Sequence, residues 1–82
     1  MMTSYSADET QFLRRVGERI RGYREKRAYG VDDLARRVAL KVSDLRAIEN
    51  GRKSPYLSDL LAIARTLEVS PADLVRVNDE VR

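Results

Sequence analysis

The chain has 82 residues, enough for one small domain, with a formal net charge of +3 and neither cysteine nor histidine. A chain this short buries a modest share of its surface, so its core must be tight and a partner subunit would help. Without cysteine there is no disulfide framework or thiolate metal site, and without histidine most hydrolase schemes lose their general base and most metal sites their usual ligand.

Residues 1–5 carry no periodic pattern and read as a loose tail. Ser6-Ala7-Asp8-Glu9 has the spacing of a capping box. It predicts a first helix running to about Arg27, with an apolar stripe of Phe12, Val16, Ile20 and Tyr23 and with Leu13 beside it. Gly17 inside this helix costs roughly 1 kcal/mol against alanine, which close packing on a neighbouring helix would explain. The opposite face, with Arg14, Arg15, Arg21 and Lys26, reads as solvated.

Gly30 breaks the pattern before Val31-Asp32-Asp33, and the two aspartates suit the first turn of a second helix. Leu34, Ala35 and Val38 mark one apolar face of that helix; Leu45 and Ile48 mark the face of a third, from about Val42 to Asn50. Ala39-Leu40-Lys41 leaves room only for a tight bend, with Leu40 as an apolar plug and Ala35 small enough for a close crossing. Two helices joined in this way over about residues 31–50 form a helix-turn-helix, whose second helix can enter a DNA major groove. Gly51 suits a left-handed residue after the third helix. Arg52-Lys53-Ser54-Pro55 makes a basic loop, and the recurrence of Leu57, Leu60, Leu61, Ala64 and Leu67 predicts a fourth helix. Ser70-Pro71-Ala72-Asp73 starts a short fifth helix, to about Val77, and residues 78–82 read as a polar tail. Nothing alternates like a strand. The expected class is all-α: a single five-helix domain over residues 1–82.

Residues 14–53 hold 13 of the 16 basic side chains and 6 of the 13 acidic ones. A basic segment centred on a helix-turn-helix suits a polyanion. No apolar run approaches the ~18 residues of a membrane span, and no signal-peptide pattern is visible, so a cytoplasmic protein is expected.

The order Leu34-Ala35, Ala39, Leu45, Ile48 and Glu49-Asn50-Gly51 resembles the helix-turn-helix of the phage repressor and Cro (XRE) family of bacterial regulators, over about Gly17 to Leu74. The resemblance implies a lambda-repressor-like fold and a nucleoid-associated, sequence-specific regulator without cofactors. Such a regulator binds double-stranded DNA as a homodimer on a pseudo-palindromic operator, with half-sites about 34 Å apart. It places Val42, Ser43 and Ala47 at the base edges, with Arg46 beside them. Arginine pairs bidentately with guanine, and Val42 or Ala47 could pack on a thymine methyl group. It implies phosphate contacts from Lys41, Asn50, Arg52 and Lys53, and a dimer surface toward the fifth helix from Tyr56, Leu74, Val75 and Val77.

The resemblance also implies an ion pair between Arg24 and Glu49. A carboxylate at a helix C-terminus opposes the dipole and requires a cation. Departures from the family are Val31, where a phosphate-binding Gln or Ser is usual, and Asp44. A carboxylate near phosphates opposes binding; the alternatives open to Asp44 are to accept from a cytosine amino group or to pair with Lys41 or a partner subunit. Two rivals stay open. One is an antitoxin or similar protein-partner module on this scaffold. The other is a scaffold that has lost DNA binding, which Val31, Asp32, Asp33 and Asp44 would favour. An enzyme is not expected.

Overall fold

Among the described residues there are five helices: α1 (Ala7–Lys26), α2 (Val31–Arg37), α3 (Val42–Glu49), α4 (Leu57–Leu67) and α5 (Pro71–Val75). The computed structural model describes residues 5–76. The expected tails, except Tyr5, and the expected end of the fifth helix at Val77 lie outside the described residues.

Both serine caps close reciprocally. Ser6 Oγ accepts from the Glu9 amide at 3.1 Å, and the Ser6 amide donates to Glu9 Oε1 at 2.9 Å. At α5, Ser70 Oγ accepts from the Ala72 amide at 3.2 Å and the Ser70 amide donates to Asp73 Oδ2 at 3.1 Å. These bonds satisfy amides that a helix start leaves orphaned. They explain how a helix as short as α5 holds its place.

The first four helices end alike. After each, one residue takes the left-handed conformation: Ala28 (φ 60), Ala39 (φ 59), Gly51 (φ 75) and Glu68 (φ 61). At each end two amides reach back to helical carbonyls, as at α2, where Ala39 N–H donates to Arg36 and Leu40 N–H to Ala35 at 3.2 and 2.9 Å. This is the Schellman arrangement. Gly30 is not the breaker that the sequence suggested. Its φ is −71, it serves as the N-cap of α2, and α1 has already ended at Lys26 with Ala28 making the reversal.

Ala39 is exposed, so its methyl group contributes little packing. A left-handed alanine costs about 1–2 kcal/mol, while glycine costs about 0.4–1 kcal/mol more to order from the unfolded chain. Ala39→Gly should therefore raise stability by about 0.5–1 kcal/mol, a rise in melting midpoint of roughly 4 °C. Thermal denaturation followed by circular dichroism checks this.

The core gathers Val16 and Ile20 from α1, Leu34, Ala35 and Val38 from α2, Leu45 and Ile48 from α3, Leu60, Ile63, Ala64 and Leu67 from α4, and Leu74 from α5. Leu40 packs half-buried against it under the turn. α3 lies against both α1 and α2, and α5 against α1 and α4. α1 is thus the post on which the helix-turn-helix stands. No helix among the described residues is long and apolar enough to cross a membrane.

Candidate nucleic-acid interface

α3 turns Leu45, Ile48 and Glu49 inward and leaves Ser43, Arg46 and Asn50 exposed, with Val42, Asp44 and Ala47 half-buried between. At 100° per residue, Ser43, Ala47, Arg46 and Asn50 form one contiguous outward surface. Val42 sits at its margin and packs partly on the core, which limits the side chain it can offer.

The inner end of α3 is held by α1. Arg24 meets Glu49 bidentately, Nε to Oε2 at 2.7 Å and Nη2 to Oε1 at 2.9 Å, and its Nη1 donates to the Tyr29 carbonyl at 2.9 Å. Glu49 is 4% exposed. Hydrogen bonding to Glu49 raises Arg24 above its ordinary pKa, against the opposing effect of burial. Among the described residues Glu49 is the buried charged one, and its carboxylate is fully matched by the guanidinium fork.

Arg21 joins this cluster, contrary to the expectation of a solvated face. Its Nε lies 3.4 Å from Glu49 Oε1, and its Nη2 donates to Asn50 Oδ1 at 2.7 Å. Arg21 and Arg24 stand one helical turn apart on α1, so both reach the C-terminal end of α3. That i, i+3 spacing opposite a lone helix-terminal glutamate was the signal available in the sequence. Together with Val31 and Arg46 these residues line a shallow cleft beside the outward surface of α3. Asn50, assigned to a phosphate, therefore has its carbonyl oxygen engaged and only its amide N–H groups to offer.

Lys41, Arg46 and Arg52 are exposed and, among the described residues, form no ion pair. Lys53 differs: its ammonium donates to Asp44 Oδ1 at 3.1 Å. The partner of Asp44 within the chain is thus Lys53 and not Lys41. Asp33 is matched on its own helix by Arg36 at 2.8 Å and Arg37 at 3.8 Å. The residue in the expected phosphate-binding position, Val31, is half-buried against the core.

The expected dimer residues separate. Leu74 is 0% exposed, so it belongs to the core and has no side-chain surface for a partner. Val75 is half-buried against the core, and Val77 lies outside the described residues. Tyr56 is 73% exposed, and beside it Leu57 (70%) and Leu61 (40%) extend an apolar surface that helical spacing alone did not separate from the core face of α4.

A family model described as a helix-turn-helix domain matches residues 17–80. Among solved structures, the chain is similar to the restriction-modification controller protein C.AhdI from Aeromonas hydrophila, with 27% identity, a TM-score of 0.73, and coverage of 76% of this chain and 94% of the other. It is also similar to an HTH_3 family transcriptional regulator from Vibrio cholerae, with 26% identity, a TM-score of 0.73, and coverage of 80% of this chain and 37% of that longer one. A hypothetical transcription factor from Neisseria shares the fold, at 23% identity and a TM-score of 0.75 over 92% of this chain and 86% of the other. No curated protein matches the chain.

Proposed function

The chain belongs to a helix-turn-helix domain family, and from that premise we propose that it is a sequence-specific transcriptional regulator of the phage repressor and Cro type. The observation that carries the reading is the outward surface of α3. Ser43, Arg46 and Ala47 face away from the core, and the cations Lys41, Arg46 and Arg52 around them pair with no carboxylate among the described residues. Carboxylates hold Arg21, Arg24, Arg27, Arg36 and Arg37, while Arg14 and Arg65 pair with none among the described residues, so what sets Lys41, Arg46 and Arg52 apart is their clustering around the outward surface of α3. A cation left unmatched beside an exposed helix is what a phosphate backbone would complete.

In this reading Arg46 pairs with a guanine and Ser43 reads its neighbour, while Ala47 packs on a thymine methyl group. Lys41, Arg52 and the amide of Asn50 fix the register on the backbone. The protein acts as a homodimer on a pseudo-palindromic site, with half-sites about 34 Å apart. Tyr56, with Leu57 and Leu61, is the apolar surface from which a second copy would gain most. The likeness to a restriction-modification controller protein, 94% of whose chain is matched, supports a regulatory role. The same apolar surface favours the second reading, a module that docks a protein partner. Base-specific DNA binding separates the two.

The test is titration of a selected duplex and a random duplex with the wild type and Arg46→Ala, each at two salt concentrations. The wild type should bind more weakly as salt rises, and Arg46→Ala should lose about 1–3 kcal/mol on the selected duplex and less on the random one. Equal losses on both duplexes would make Arg46 a phosphate contact. No binding of either duplex at low salt would move the function to a protein partner.

A further inference from the structure

We propose that Asp44 is a specificity-determining residue that selects a base presenting an exocyclic amino group in the major groove, cytosine foremost, with Lys53 as its positioning residue. This rests on the DNA-binding reading above. Asp44 occupies the first turn of α3, the end of a recognition helix that reaches base edges. Its carboxylate is neither buried nor free: Lys53 holds Oδ1 at 3.1 Å, and Oδ2 accepts no hydrogen bond among the described residues.

The link reaches from the helix to the loop beyond Gly51, nine positions away, so it is not the usual pair on one helix face. Stabilising the start of α3 requires only a carboxylate there and leaves the lysine unexplained. The other cations around the recognition surface, Lys41, Arg46 and Arg52, pair with no carboxylate among the described residues. Of Lys41, Arg46, Arg52 and Lys53, only Lys53 pairs with a carboxylate among the described residues.

The pair solves the problem that a carboxylate poses beside phosphates. Lys53 offsets its charge and fixes its direction, and the second oxygen stays available as an acceptor. Cytosine offers its N4 amino group to such an acceptor. Guanine presents O6 and N7 there and thymine presents O4, all acceptors, so either would set two unmatched acceptors against each other. Asp44 thus favours one base and rejects two others, which distinguishes it from a phosphate contact that treats all sequences alike.

The experiment takes the duplex that the wild type enriches from a random library and substitutes each base of one half-site in turn. Wild type, Asp44→Ala, Asp44→Asn and Lys53→Gln are titrated against the set. Expected is one position where replacing cytosine by thymine or guanine weakens the wild type about tenfold or more, and Asp44→Ala by less than about twofold. Asp44→Asn, which can both donate and accept, should shift its preference there toward adenine. Lys53→Gln should bind all duplexes more weakly and discriminate less at that position. The same base preferences in Asp44→Ala and the wild type at every position would overturn the proposal, even if all affinities fell together. A wild type that enriches no motif would sink the DNA-binding reading first, and this proposal with it.

Discussion

Glu49→Ala is expected to lose about 3 kcal/mol of stability, near the lower end of the range for breaking a buried ion pair from one side. The carboxylate is 4% exposed and both its oxygens are engaged by Arg24. Its removal leaves the Arg24 guanidinium, whose side chain is 13% exposed, with only the Tyr29 carbonyl. It also leaves Arg21 beside Arg24 with no carboxylate between them. The defect should appear as a lower urea midpoint with unchanged slope, and as weaker DNA binding only in proportion to the folded fraction. Replacing both partners with apolar side chains, Arg24→Met with Glu49→Leu, should recover most of the loss, because no charge is then buried unmatched. A Glu49→Ala protein as stable as the wild type would show that α1 and α3 are joined by apolar packing alone.

Gly17→Ala should cost a similar amount, about 3 kcal/mol, at the upper end for overpacking a tight contact. A Cβ there would lie 2.4 Å from the carbonyl oxygens of both Ile48 and Glu49. These are backbone atoms, so no side-chain rotation relieves the clash, and α3 must move away from α1. The damage should reach the interface, since the same displacement tilts the surface that carries Ser43 and Arg46. Gly22→Ala is the internal control. Nothing lies within 4 Å of its Cβ position, so the substitution should stabilise the helix by about 0.5–1 kcal/mol. Opposite signs for two glycines in one helix, read by thermal denaturation, would locate the close approach at Gly17.

The contrast between these glycines marks what could be read from the residues. Ser6 with Glu9 and Ser70 with Asp73 announce helix starts, because a capping box is a local exchange of bonds with a fixed spacing. The apolar stripes of α1 and α3 likewise follow from periodicity, and Gly17 was identified as a packing position by its cost. The reversals after α1, α2 and α4 were not legible: Ala28, Ala39 and Glu68 take the left-handed conformation without glycine. At Gly51 the choice is forced, since a Cβ would lie 2.7 Å from Arg14 Cα. The difference is one of tertiary crowding.

The site was partly legible in the same sense. The outward residues of α3 follow from helical geometry, and the need of Glu49 for a cation follows from its place at a helix end. For Arg21 the only sign was its i, i+3 spacing from Arg24, and that Lys53 would hold Asp44 depends on how the loop beyond Gly51 folds back on α3, which leaves no period to read. Leu74 was misplaced for a related reason. α5 has only five residues, too few to separate a core face from a surface face by spacing.

The most direct test of sequence-specific DNA binding is selection by the purified protein from a random-sequence duplex library. Expected is enrichment of a two-fold symmetric motif with half-site centres about one helical turn apart, whose affinity falls steeply as salt rises. Salt-sensitive binding with no enriched motif, or no binding at low salt, would contradict it.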